Sequence, residues 1–122
     1  MTTKYRAKKT LSPDGILFDS KREARRWKEL NLMLRAGLIS DLRRQVKYIL
    51  IPIQREPDRV GKRGGKIQGH LLEREVDYVA DFVYRDKNGN EVVEDSKGVR
   101  TKDFVIKRKL MLWVHGIKVR EV

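Results

Sequence analysis

The alternation from Glu75 to Arg85 constrains the fold more than any other feature of the chain. Val76, Tyr78, Ala80, Phe82 and Tyr84 fall on one face of an extended segment; Asp77, Val79, Asp81 and Val83 fall on the other. Asp86-Lys87-Asn88-Gly89-Asn90 follows, a hairpin turn built around Asn-Gly, the pair that most readily adopts positive φ. Glu91 to Lys97 then returns as an antiparallel strand and stops at Gly98. With 122 residues the chain has room for one domain and one buried core around this hairpin.

The remaining segments arrange themselves about it. Residues 1–15 form a basic arm with Lys4, Arg6, Lys8 and Lys9, closing in the turn signal Ser12-Pro13-Asp14-Gly15. Ile16, Leu17 and Phe18 read as a short strand or as core packing. Asp19 or Ser20 then stands at a helix N-cap, and Glu23, three residues after Ser20, completes a capping box. The helix runs from about Lys21 to Ala36 and ends at Gly37, a left-handed C-cap. Arg43 to Ile51 reads as a strand ended by Pro52. Residues 54–72 read as a long basic loop, rich in glycine, with a hairpin near its base. A second helix from about Lys102 to Val114 ends in His115-Gly116, and Ile117 to Val122 closes as a last strand. The order is helix, three strands, helix, strand: an α/β domain with a mixed sheet flanked by helices.

Charged residues fall where such a fold resists them. Asp95 and Lys97 are two apart on a strand, so both leave the same face. Asp81 lies across the Asn-Gly turn, close to opposite Asp95 or Glu94. Like charges opposed on a sheet repel unless a cation lies between them. Counting from Glu23, Trp27, Leu30 and Leu34 fall at i+4, i+7 and i+11, which sets Glu23 inside the apolar stripe of its helix. A carboxylate there is costly to bury without a cation or a donor. Three carboxylates and a lysine are what metal-assisted phosphodiester cleavage requires: oxygen ligands for Mg²⁺ or Mn²⁺, and an ammonium to orient water or offset charge.

Charge points the same way. The 29 Lys and Arg against 17 Asp and Glu leave a net +12, which favours a polyanionic partner through counterion release. The absence of cysteine excludes disulfides and thiolate metal sites, and no apolar run is long enough to span a bilayer. An intracellular protein that does not enter membranes is the natural expectation.

Ala80-Asp81, then Asp95-Ser96-Lys97 after a hairpin, with Glu23 on the preceding helix, resembles the PD-(D/E)XK nuclease superfamily, whose common core has the same order of elements. Phe18-Asp19-Ser20-Lys21, Ala80-Asp81-Phe82 and Val93-Glu94-Asp95-Ser96-Lys97-Gly98 look like a small phage-encoded family assigned to it, with a role in phage recombination or DNA processing. The resemblance spans about Tyr5 to Val122 and departs from the named motif at Ala80, where proline is usual. It implies a restriction-endonuclease-like fold and a divalent-metal-dependent DNA endonuclease in the bacterial cytoplasm. Asp81, Asp95 and Glu23 would be the metal ligands and Lys97 the catalytic lysine. Small size adds the expectation of a homodimer or larger assembly, suited to branched DNA such as a Holliday junction. Gln45 is a further candidate because related nucleases often carry a glutamine near the site. Lys62, Arg63 and Lys66 in the basic loop, and Lys102, Lys107 and Lys109 on the second helix, are candidate nucleic-acid contacts.

Alternatives stand beside these assignments. Glu94 rivals Asp95, since a one-residue slip in register exchanges their faces. Glu23 could serve only the helix cap. His70 and His115 read as loop and helix-end residues, and Trp27 and Trp113 as core or interface. The glycines from Gly61 to Gly65 do not make a phosphate loop, because Ile67 stands where Ser or Thr is needed. A catalytically silent nucleic-acid-binding module, or a subunit of a phage complex, fits the charge equally well but leaves the inward Glu23 unexplained.

Overall fold

The structure, a computed structural model, describes residues 9–97 and 99–122. Lys4, Arg6 and Lys8 of the basic arm, and Gly98 at the expected strand end, lie outside the described residues. The described residues open with a small hairpin, β1 (Thr10–Leu11) and β2 (Leu17–Phe18), turned at the expected Ser12-Pro13-Asp14-Gly15 with Gly15 at φ +86°. Helix α1 (Lys21–Arg35) is capped by the Ser20 hydroxyl, which accepts from the Glu23 N–H. It ends before Gly37, at φ +73°.

Strand β3 (Ser40–Ile51) leads into β4 (Gln54–Arg55) and β5 (Arg59–Val60). The return runs through β6 (Lys66–Ile67) and β7 (Leu71–Glu73) into β8 (Val76–Arg85). Strand β9 (Glu91–Asp95), helix α2 (Lys102–His115) and β10 (Arg120–Glu121) complete the chain. Four strands form the central mixed sheet in the order β10-β9-β8-β3, with only β10 and β9 parallel. Each face of the sheet carries a hydrophobic cluster. Leu30 of α1 joins Phe18, Ile39, Phe82, Tyr84 and Val92 on one side. Phe104 and Met111 of α2 join Leu50, Tyr78, Ala80, Val83 and Val93 on the other. Trp27 packs on the α1 side, stacked on Phe82 at 6.0 Å, whereas Leu34 and Trp113 stay exposed.

The alternation of β8 breaks in the middle, against the expectation of one continuous face. Tyr78 and Ala80 belong to the α2 cluster, but Phe82 and Tyr84, of the same parity, belong to the α1 cluster. On β3, Arg44 lies over the rings of Phe18 and Trp27 on the α1 side, while Val46 packs on the α2 side. Pairing holds one register across the break, from Arg44↔Phe82 to Val46↔Ala80, so no residue is inserted. Both strands turn over together at the residues between, Gln45 and Asp81. On β3 the change coincides with Gln45 at φ +52°, a conformation uncommon for residues other than glycine.

The basic segment 54–72 is a β-ribbon rather than a loop. Two short antiparallel ladders, β4 with β7 and β5 with β6, extend the β3–β8 hairpin outward. A hairpin near its base was expected; its full extent is hidden because two-residue strands leave no readable period. At its base Gly69 is essential: a Cβ there would lie 1.7 Å from the Glu56 carbonyl oxygen. Gly69→Ala is expected to force the two backbones apart and break the Glu56 N–H bond to the His70 carbonyl, 2.8 Å long. Because the ribbon is exposed, the cost to global stability should stay below about 1 kcal/mol. Amide exchange checks this: protection at Glu56 falls while that of β8 is kept.

Candidate active site

The β8–β9 register decides how the hairpin acids face one another. Phe82 pairs with Glu94, so one step further along the same register Asp81 stands against Asp95. Glu94 points to the α1 side and is fully consumed there. Arg26 grips it with two bonds, Nε to Oε1 at 2.8 Å and Nη2 to Oε2 at 2.7 Å, and the Tyr84 hydroxyl donates to Oε2. With no exposed surface and both oxygens bonded to Arg26, Glu94 is held as a structural anion.

Asp95 is just as deeply buried, at 1 % exposure, but is held from one side only. Its Oδ2 accepts the Tyr78 hydroxyl at 2.6 Å. Its Oδ1 has no hydrogen bond, and the nearest cation is the Lys97 ammonium at 3.4 Å. Lys97 lies beyond the end of β9 and is steadied over the Phe104 ring, 4.9 Å from its centroid. The Arg22 guanidinium fixes the same turn by donating to the Lys97 carbonyl at 2.8 Å.

Asp81 accepts the Ser96 N–H on Oδ2 at 2.8 Å and faces the Gln45 amide with Oδ1 at 3.5 Å. Burial, and then the neighbouring Asp95 carboxylate, push its pKa up to about 7. The Ser96 amide opposes that shift, and the charge of Glu23 adds to it. Glu23 is buried, as its place in the apolar stripe requires. Its carboxylate lies 3.3 Å from Gln45 Nε2 and 3.8 Å from the Arg44 guanidinium. Burial raises its pKa, with Asp19 and Asp95 contributing and Arg44 working against them. Glu23 therefore caps the helix through its backbone and faces the hairpin acids through its side chain.

Gln45 joins the group: one amide nitrogen stands between Glu23 and Asp81. It was expected near the site from the sequence resemblance, and the structure turns its amide onto the carboxylates. Asp81, Asp95 and Lys97 form the tight part of the arrangement, and Glu23 joins through Gln45. Among the described residues, no three His, Cys, Asp or Glu side chains are gathered closely enough to ligate one ion as they stand. The other candidates lie apart. Lys62, Arg63 and Lys66 are exposed on the ribbon, Lys102 and Lys109 are exposed on α2, and Lys107 is half-buried on the face that carries Phe104 and Met111. Sequence reasoning missed Tyr78 and Arg26 as partners of the buried acids. Tyr78 reads simply as a core aromatic, but Arg26, three residues after Glu23 and four before Leu30, borders the apolar stripe and could have been paired with an inward acid.

The residues present suit a small hard cation. Two adjacent carboxylates repel one another, one buried oxygen lacks a partner, and all the free donors are oxygen, the set that Mg²⁺ or Mn²⁺ prefers with waters completing its shell. No helix is long and apolar enough to cross a membrane among the described residues. No curated protein and no solved structure shows significant similarity to the chain. Residues 2–120 match the family model described as "Protein of unknown function (DUF1064)", and the chain belongs to that family.

Proposed function

We propose that the protein is a divalent-metal-dependent endonuclease of the PD-(D/E)XK type that hydrolyses DNA phosphodiesters. The observation that carries the proposal is the Asp81–Asp95 pair, with Asp95 Oδ1 buried and unbonded beside Lys97. The order α1, β3, β8, β9, α2, β10 supports the restriction-endonuclease-like assignment of the core. A β10 strand parallel to β9 supports it as well.

Asp81 and Asp95 would hold Mg²⁺ or Mn²⁺, with the Glu23 carboxylate as the further acid of the site. The metal when bound supplies Lewis-acid polarisation of the scissile phosphate and a lowered pKa for water. The chain supplies the rest. The Tyr78 hydroxyl fixes Asp95 through its Oδ2, and the Ser96 N–H fixes Asp81 through its Oδ2. Gln45 holds Glu23 and Asp81 at one spacing. The Lys97 ammonium, about one-third exposed, offsets charge on phosphate oxygens or orients the attacking water. Water oxygen bonds to phosphorus, one P–O ester bond breaks, and no covalent enzyme intermediate is required. A homodimer, and a role on branched DNA in phage recombination or processing, rest on small size and on the sequence resemblance.

The test is cleavage of supercoiled and four-way-junction DNA with and without Mg²⁺ or Mn²⁺. Cutting should require the metal and fall by about a hundredfold or more in Asp95→Ala and in Lys97→Ala, while gel-shift affinity for DNA is retained. Tight binding without cutting in either metal would instead make the protein a silent nucleic-acid-binding module.

A further inference from the structure

The β-ribbon of residues 54–73 projects with both faces in solvent: every residue from Gln54 to Glu73 is exposed except Gly61 and Gly69. Strands that bury neither face gain little from the core, so their order calls for another explanation. The ladder pairs Arg59 with Ile67 and Val60 with Lys66. Directly opposed residues share a face, so each face carries one cation and one apolar side chain. Val60 is 76 % exposed and Ile67 40 %. Lys62 and Arg63 occupy the tip, where Gly64 takes φ +81°, and residues 59–67 contain no acid. Among the described contacts, one acid outside the tip touches these cations: Asp58 lies 3.1 Å from Lys66 and also accepts the Gly69 N–H.

A ribbon made to lie on a flat anionic surface would gather its cations on one face. This one distributes them over both faces and the tip, which matches a ligand with anions on two opposing walls. The major groove of B-DNA is such a ligand: about 12 Å wide, it admits a two-stranded ribbon between two phosphate backbones and offers thymine methyls to apolar side chains. A second copy of the chain fits poorly, because tips without acids repel one another. Eight residues from Gln54 to Gly61 give the ribbon a reach of about 25 Å. It would therefore engage DNA well away from the scissile phosphate.

We infer that the ribbon inserts into the major groove of a DNA duplex and orients it on the protein. The inference rests on DNA being the partner, as proposed above, but not on cleavage. Binding of a 20-base-pair DNA duplex is measured in EDTA over a range of salt, with wild-type protein and with Lys62→Ala/Arg63→Ala. The variant is expected to bind about tenfold more weakly or worse, with the slope of log K against log salt smaller by about two. Independently of any variant, bulky glucosylated hydroxymethylcytosines, which fill the major groove, should weaken wild-type binding at least tenfold. Netropsin in the minor groove should leave it unchanged. An RNA duplex, whose major groove is too narrow and deep, should bind less well than DNA. Equal salt slopes for wild type and variant, or indifference to the glucosyl groups, would overturn the inference. Preference for RNA, or tips that dimerise the protein without touching DNA, would overturn it as well. A protein that binds as expected yet never cuts would leave the inference standing and defeat only the nuclease reading.

Discussion

Asp81→Asn is expected to leave a protein that melts at a higher temperature and cuts no DNA. Asp81 titrates near pH 7 when folded, against an ordinary value of 3.8, so the folded state holds this proton more tightly than the unfolded chain. Below about pH 4 the carboxyl is neutral in both states and the substitution changes little. Between pH 4 and 7 the unfolded chain loses the proton first, and each step upward in pH weakens the fold. Above pH 7 the penalty is complete. The full shift would correspond to roughly 4 kcal/mol, and partial exposure of the site reduces that to about 2 kcal/mol. Asparagine retains an acceptor for the Ser96 N–H while removing the repulsion from Asp95. The expected rise in Tm at pH 8 without metal is therefore on the order of 5–10 °C, shrinking to almost nothing at pH 4. Mn²⁺ at pH 8 should stabilise the wild type and not the variant, because bound cation compensates only the ionised pair. Thermal melts at the two pH values, with and without Mn²⁺, check all of this; equal melting at pH 8 would remove the electrostatic tension from the account.

Arg26→Ala should do the reverse and give the largest loss of stability of any single substitution in the sheet and helices. Glu94 has no exposed surface and relies on the Arg26 guanidinium, itself one-fifth exposed, for two of its bonds. The pair holds the Arg26 pKa above its ordinary value. Truncating Arg26 leaves a buried carboxylate with only the Tyr84 hydroxyl and a distant Arg120, and such an orphan costs about 3–5 kcal/mol. The Tm should drop by about 10–20 °C. Pairing the change with Glu94→Leu should recover much of the loss, since leucine nearly matches glutamate in volume and leaves no buried charge unpaired. A double-mutant cycle on urea midpoints reads the coupling directly. Losses that simply add would mean that the two groups do not depend on each other.

These two acids show how far the sequence could be read. Helices and strands marked by caps, turns or long alternation emerge within a few residues of their true bounds: Ser20 and Gly37 bracket α1, Gly116 ends α2, and Asn88-Gly89 turns β8 into β9. The mixed four-stranded sheet with helices on both faces follows from that order. Strict period-two parity, however, puts Ala80 and Phe82 on one face, and the sheet puts them on opposite ones. The left-handed conformation of Gln45 opposite this point is a tertiary choice that no local pattern announces. Glu94 and Asp95 are adjacent acids that follow Val92 and Val93, and only the partners brought from α1 and from β8 separate a structural anion from a candidate ligand. Of the ribbon only a hairpin near its base was legible, because its strands are two or three residues long. Lys107 is half-buried, unlike Lys102 and Lys109, because its spacing places it on the face of Phe104 and Met111.

The most direct measurement is anomalous scattering from a crystal grown with Mn²⁺ near pH 8. One strong peak is expected between the carboxylates of Asp81 and Asp95, within about 2.0–2.3 Å of an oxygen from each, with the Glu23 carboxylate and Lys97 alongside. No peak at saturating Mn²⁺, or a peak elsewhere while Asp81 and Asp95 share a proton between them, would contradict the account.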